Sequence, residues 1–203
     1  MLRVALTGNI ASGKSAVSAV WERLGATIVD ADELAREAVA PGSAGLARVV
    51  ERFGAEMLAA DGTLDRAALR ARVFADDRER RDLEAILHPE IERLRRRADA
   101  EAEARGERLV VHVVPLLFET GLDERFDRVV LVDAPEAVRL DRLVRDRGLD
   151  PAEARGMIEA QMPAAKKRDR ADLVIDNTGT LDELEAAAAA AWTRVRAWAE
   201  PAP

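Results

Sequence analysis

Eight consecutive residues near the N-terminus, Gly8-Asn9-Ile10-Ala11-Ser12-Gly13-Lys14-Ser15, have the types and spacing that can wrap a polyphosphate. They fit the pattern Gly-x-x-x-x-Gly-Lys-Ser/Thr. A triphosphate presents several charges and many acceptor oxygens, so a loop around it must turn backbone N–H groups inward and keep side chains away. Gly8 and Gly13 permit that close approach. A helix starting at the loop adds its unpaired N–H groups and its dipole. Lys14 can then reach the β- and γ-phosphates, and the Ser15 hydroxyl can ligate Mg²⁺. A Gly/Ser-rich turn with a chance lysine is the bland alternative, and the context argues against it. Leu2–Thr7 is a short apolar run that reads as a buried strand. From Ser15 to Leu24, Val17, Val20, Trp21 and Leu24 fall at i, i+3, i+4 and i+7, on one helix face.

Further candidates lie downstream. Asp30-Ala31-Asp32 closes a second short strand, Thr27–Asp30. Ligands of open α/β sheets sit outside the carboxyl ends of the strands, which puts both carboxylates beside the loop. A carboxylate there can orient an acceptor hydroxyl and take its proton, because phosphoryl transfer depends more on positioning than on base strength. The structural alternative is a helix cap plus a first-turn acid, with Asp30 as cap and Glu33 as its partner. Arg139, Arg142 and Arg145 recur at intervals of three, and Lys166, Lys167, Arg168 and Arg170 follow Pro163. They can form a lid that closes on phosphates, or a solvated face balanced by Asp141, Asp146 and Asp169. His112 sits in an apolar strand and reads as a core residue; His88, before Pro89, either faces a cleft or packs. Neither has partners at metal-ligand spacing. Glu119 is a weaker candidate for contact with water or metal. Guanine-specific Asn-Lys-x-Asp is absent, as is the Asp-Glu pair of motor-type ATPases.

Composition narrows the class. The 203 residues are 48% hydrophobic and 34% charged, with a net charge of −7. A sizeable core is available, and an anionic ligand needs a local basic cleft. The acidic balance does not suggest a nucleic-acid partner. Cysteine is absent, which excludes disulfides and cysteine-based metal or redox chemistry. The chain enters a strand at once and no apolar run reaches membrane-spanning length, so neither a signal peptide nor a membrane partner is expected and the expected location is cytoplasmic.

These residues need a scaffold. Strands are expected at Leu2–Thr7, Thr27–Asp30, Leu109–Val114, Arg128–Val132 and Leu173–Ile175. Alternating with helices, they imply an α/β fold with a five-stranded parallel sheet covered on both faces. From Ser43 to about Arg105 only helical signals occur, including one helix approaching His88-Pro89 and another running from Pro89 to Arg105. An arginine-rich helix spans about Glu136 to Arg147, another begins at Pro151, and an alanine-rich one runs from Leu181 to about Ala199.

Taken in order, the motifs resemble those of the dephospho-CoA kinase family. The resemblance is carried by Ala5 to Ser15, Asp30-Ala31-Asp32, Ala35-Arg36, Pro41-Gly42, Phe53-Gly54, Asp61 to Arg66 and Leu87-His88-Pro89. It continues through Val114 to Glu119, Arg142-Leu143, Ala160-Gln161-Met162 and Ala171 to Gly179. It implies a P-loop kinase domain over residues 1–203, with a helical insertion at about 43–106 that holds the CoA moiety and a lid at about 139–170. It implies ATP and dephospho-CoA as substrates and Mg²⁺ as the metal, with the γ-phosphoryl group passing to the ribose 3′-hydroxyl to give coenzyme A and ADP. By the same resemblance, Gly8, Asn9, Ile10, Ala11, Ser12, Gly13, Lys14, Ser15 and Ala16 hold ATP together with Arg142, Arg145, Asn177 and Gly179. Asp32 is the base, Lys14 and Arg142 are catalytic, Ser15 holds the metal, and Asp32, His88 and Leu117 meet the acceptor.

Some positions depart from the family pattern. The family loop commonly reads Gly-Gly-Ile-Gly-Ser-Gly-Lys, and Asn9 and Ala11 stand where two of those glycines do. A second lid arginine is common four residues after the first; Asp146 occupies that place, between Arg145 and Arg147. Ala164, Ala165 and Lys166 replace acidic residues common after Gln161-Met162. Two other readings compete: a nucleoside or nucleotide kinase with a different acceptor, and a non-catalytic ATP-binding regulator. The paired aspartates and the basic run favour an enzyme. No feature of the sequence fixes an oligomeric state.

Overall fold

Leu2–Thr7 forms a central strand because it is apolar on both faces; Val4, Ala5 and Leu6 are fully buried. The computed structural model describes residues 1–200 and places this strand, β1, in a five-stranded sheet with β2 (Thr27–Asp30), β3 (Leu109–Val113), β4 (Arg128–Asp133) and β5 (Leu173–Asp176). The strand order is β2-β3-β1-β4-β5. β1 runs parallel to both neighbours, with Leu2 opposite Leu109 and Val4 opposite Arg128, and β4 runs parallel to β5. The expected α/β class and all five strands are observed.

Contacts divide the chain into two compact units, one comprising Met1–Val29 and the chain from Ala102 onward, the other Asp30–Glu101. In the first, α1 (Lys14–Arg23) packs against α9 (Leu181–Ala197). Trp21 is fully buried, stacks on Trp192 at 5.5 Å and donates its indole N–H to the Ala188 carbonyl at 2.8 Å. The alanines of α9 let a tryptophan approach the helix backbone. Thr180 and Glu183 form a reciprocal capping box at its start. Helices α6 (Glu136–Arg145) and α7 (Pro151–Glu159) share a small core of Leu143, Ala154 and Ile158, against which Ile10 and Ala11 of the glycine loop pack. A short helix the sequence did not signal, α8 (Ala164–Arg168), follows them.

The second unit is helical. Side-chain caps start its first three helices: Asp30 for α2 (Ala31–Glu37), Ser43 for α3 (Ala44–Phe53) and Asp65 for α4 (Arg66–Ala75). Val39, Val49, Phe53, Met57, Leu69 and Ile86 form its core. Two expectations need correction here. The block is not purely helical: Leu58 and Leu64 pair as an isolated antiparallel bridge. The Asp61 carboxylate turns the chain between them, accepting from the Thr63 N–H at 3.0 Å and hydroxyl at 2.7 Å. Nor does the chain break at His88-Pro89. A single helix, α5 (Asp77–Ala104), runs through Pro89. An internal proline costs about 3 kcal/mol. Burial of Ile86 on the proline's N-terminal side and Leu94 on its C-terminal side offsets this, at roughly 1.5–3 kcal/mol each. Arginine–carboxylate pairs such as Arg93–Glu90, Arg95–Glu92 and Arg97–Glu101 add a few tenths each. Among the described residues, no helix is long and apolar enough to cross a membrane.

Candidate active site

The loop between β1 and α1 owes its shape to two glycines. Gly13 has φ 99°, and a Cβ there would stand 2.4 Å from the Asn177 amide nitrogen. A Cβ on Gly8 would stand 2.3 Å from the Val132 carbonyl oxygen. No side chain caps α1 at Gly13, so the helix presents its N-terminal backbone to the loop. The Lys14 ammonium reaches back to the Gly8 carbonyl at 2.7 Å and the Asn9 carbonyl at 3.4 Å. Ala11 has φ 59°, the one non-glycine in the left-handed region among the described residues. The substitution at 11 therefore falls where glycine's freedom is used.

A cleft of about 600 Å³ opens over this loop, a volume that suits a nucleotide. Its floor is Ala11 to Ala16, and its walls are Arg142, Arg145, Asp146, Arg147, Asn177, Leu181 and Leu184. Four cations against one carboxylate give a strongly basic cleft in a chain of net charge −7. Arg142 is docked on the loop, donating to the Ala11 carbonyl and to the Asn177 side-chain oxygen, both at 3.1 Å. Asn177, only 3% exposed, donates its amide to the Ser12 carbonyl at 2.8 Å. Exposed Arg145 pairs with Asp141 at 3.3 Å.

Other cations of the basic run serve elsewhere. Arg139, on the same helix as Arg142, does not line the cleft: it is buried, bonds the Ala134 carbonyl at 3.1 Å, and burial pushes its guanidinium below the ordinary arginine value. Lys167 has no exposed side-chain surface and pairs with Glu119 at 2.7 Å. Arg168 bridges Asp176 at 2.6 Å and Asp133 at 2.8 Å, which together raise its pKa further. Arg170 pairs with Asp123. Three of the four cations after Pro163 are thus committed to carboxylates, Lys166 staying exposed, and Glu119 is a partner in an ion pair. Leu117 is fully buried, and Gly179 lies exposed just before α9. His112 is buried beside Phe126, as a core residue should be.

In the second unit, the Asp30 carboxylate accepts from the N–H groups of Asp32 at 2.7 Å and Glu33 at 3.3 Å. Asp30 is thereby committed to capping α2. The Asp32 carboxylate is exposed and makes no hydrogen bond or ion pair among the described residues. His88 is exposed on α5.

A model of the dephospho-CoA kinase family matches residues 2–183. The dephospho-CoA kinase of Anaeromyxobacter dehalogenans is 48% identical over 181 residues, covering 89% of this chain and 86% of that one. The chain belongs to the dephospho-CoA kinase family. It is accordingly a phosphotransferase that uses ATP as a substrate. A crystal structure from Thermus thermophilus, 37% identical, superposes with a TM-score of 0.80 over 96% of this chain and 97% of that one. The Campylobacter jejuni dephospho-CoA kinase, at 22% identity, shares the fold with a TM-score of 0.72, covering 98% of each chain.

Sequence reading missed two groups near the cleft. Leu181 and Leu184 form its apolar wall; their place four and seven residues past Asn177 was the available signal. Gln161 and Met162 bond the loop itself, through Ile10 and Asn9. No local pattern marks that contact.

Proposed function

We propose that the chain transfers the γ-phosphoryl group of ATP to the ribose 3′-hydroxyl of dephospho-CoA, giving coenzyme A and ADP, and that the basic cleft over the glycine loop is the ATP site. The observation that carries the site assignment is the convergence of Lys14, Arg142, Arg145 and Arg147 on a glycine loop in an acidic member of this family. In this reading the backbone from Gly8 to Ala16 cradles the phosphates. Lys14 and Arg142 stabilise charge on the transferring group. The adenine lies toward Asn177, Gly179 and the Leu181 wall. Arg145 and Arg147 close over the phosphates, and the α6–α7 region is the lid.

Ser15, exposed at the start of α1 and lining the cleft, offers a hard oxygen donor of the kind Mg²⁺ takes alongside phosphate oxygens. Bound there, the ion would neutralise phosphate charge. Asp32 is the base that accepts the hydroxyl proton; its uncommitted carboxylate and its place directly after β2 support that role. The helical unit, with His88 as a contact, holds the CoA moiety, and the reaction is assigned to the cytoplasm. Leu117, fully buried and outside that unit, packs in the core and is not the contact expected from the sequence.

The test is phosphoryl transfer over a panel of acceptors: dephospho-CoA, AMP, CMP, shikimate and adenosine. Dephospho-CoA should have by far the highest kcat/KM, with the new phosphate on the 3′-oxygen by NMR. Binding energy from a long acceptor can position its distant hydroxyl, so truncated acceptors should lose kcat as well as affinity. A better acceptor among the others would replace this assignment.

A further inference from the structure

Two segments far apart in sequence are joined beside the glycine loop. The Ile10 N–H donates to the Gln161 side-chain oxygen at 2.7 Å. The Asn9 amide donates to the Met162 carbonyl at 3.1 Å, and Asn9 is 3% exposed. Gln161 and Met162 lie in the irregular stretch between α7 and α8, where no helix or strand ladder fixes them. They are held instead by a carboxylate: the Met162 N–H donates to Glu119 Oε1 at 3.0 Å. The same oxygen pairs with the fully buried Lys167 ammonium at 2.7 Å. A buried ammonium with a single carboxylate partner resists separation, because the parted charge stays desolvated. This pair is therefore the fixed end of a chain of contacts running Lys167–Glu119–Met162–Asn9.

The free end of that chain is the reactive part of the loop. The Asn9 carbonyl accepts from the Ser12 N–H at 3.1 Å and from the Lys14 ammonium at 3.4 Å. The Gly8 carbonyl, at 2.7 Å, is the nearer acceptor for Lys14, and displacing residue 9 shifts the second one and the loop that carries both. A glycine at 9 would make no bond to Met162.

We propose that the Glu119–Lys167 pair, acting through Gln161 and Met162, sets the shape of the phosphate loop, and that Asn9, Gln161 and Glu119 are positioning residues for ATP. This rests on the reading of the cleft as the ATP site. A loop held in its binding conformation gives up less conformational freedom when it closes on phosphates. The tether acts on ground state and transition state alike, so its loss should appear in ATP affinity and KM more than in kcat.

The experiment compares wild type with Asn9→Gly and Gln161→Met, measuring the Kd of a non-hydrolysable ATP analogue by calorimetry, KM and kcat for ATP, and Tm. Val195→Ala, which truncates a fully buried side chain of α9, is the control for stability loss alone. Each loop variant should weaken the analogue and raise KM about five-fold, the equivalent of one net hydrogen bond, with a smaller change in kcat. The control should lower Tm with Kd unchanged. Wild-type Kd and KM in both loop variants, whatever their Tm, would overturn the inference while leaving the ATP site intact. Failure of the wild type to bind the analogue would overturn the ATP-site reading itself, and the inference with it.

Discussion

Arg142 and Asn177 are hydrogen-bonded at 3.1 Å, and the Asn177 amide continues the connection to the Ser12 carbonyl at 2.8 Å. One buried amide therefore holds an arginine of the cleft wall and the floor of the phosphate loop in register. Asn177→Ala should remove both bonds and leave the Ser12 carbonyl without its partner. The expected outcome is a stability loss of about 1–3 kcal/mol in urea unfolding, with a several-fold rise in KM for ATP. A wild-type unfolding midpoint would show that the amide is not a tie.

Lys14→Ala should abolish transfer without unfolding the protein. The lysine's bonds in the loop go to two backbone carbonyls and, among the described residues, its side chain packs in no apolar cluster, so little of the core depends on it. Its proposed task is to meet charge that develops during transfer, and losing such a group costs about 100-fold or more in kcat. Turnover and circular dichroism measured together are the check. A variant that keeps more than roughly a tenth of the wild-type rate would remove Lys14 from the catalytic set.

The fold was legible because it rests on local patterns. Both-sided apolar runs such as Val4-Ala5-Leu6 mark strands covered on two faces, and Asp65, Asp150 and Thr180 cap the helices that follow them. The loop was legible because its chemistry is contiguous. What stayed hidden depends on pairing across the chain. Nothing local tells Arg139, buried against the Ala134 carbonyl, from Arg142, docked on the loop three residues later. Lys167 looks like its solvated neighbour Lys166 until the turn after β3 brings Glu119 beside it. The Pro89 error had the opposite cause: a strong local rule lost to tertiary packing.

Asp32→Asn should lower kcat much more than it weakens ATP binding. The amide keeps the shape of the carboxylate but cannot take a proton. Asp30→Asn should be mild, since asparagine caps a helix about as well as aspartate, whereas Asp30→Ala should cost about 1 kcal/mol of stability. Steady-state kinetics and urea unfolding separate the two roles. Greater kinetic damage from Asp30→Asn than from Asp32→Asn would reassign the base.

Ala11→Gly should stabilise the protein. Ala11 is held at φ 59°, where an alanine is disfavoured by about 1–2 kcal/mol. Glycine relieves that strain but adds about 0.4–1 kcal/mol of unfolded-state freedom. The balance favours glycine by roughly 0.5–1 kcal/mol, a rise in Tm of a few degrees for a chain of this size. Ala11→Val, β-branched at the same φ, should destabilise. A lower Tm for Ala11→Gly would show that the Ala11 methyl, packed with Leu143 and Ile158, contributes more than its strain costs.

The Glu119–Lys167 pair should leave a signature in acid. Burial alone would raise the Glu119 pKa, but hydrogen bonding from Lys167 and from the Met162 N–H outweighs it and holds the carboxyl below the usual range. A carboxyl lowered in the folded state contributes its stability above the unfolded value, and that contribution falls away as pH drops through the folded value. Glu119→Gln should therefore cost roughly 3 kcal/mol at neutral pH, because Lys167 is left buried without its counter-charge. The difference in urea midpoint between wild type and Glu119→Gln should stay full down to about pH 4 and shrink below it. In a Lys167→Met background the lysine's share is gone, so Glu119→Gln should cost less near pH 7 and the difference should change less with pH. Urea unfolding of the four proteins across this range is the measurement. A difference that does not change with pH would mean that the folded protein does not hold the Glu119 carboxyl below its ordinary value; one that is unchanged in the Lys167→Met background would mean that the backbone N–H groups, and not the lysine, lower it.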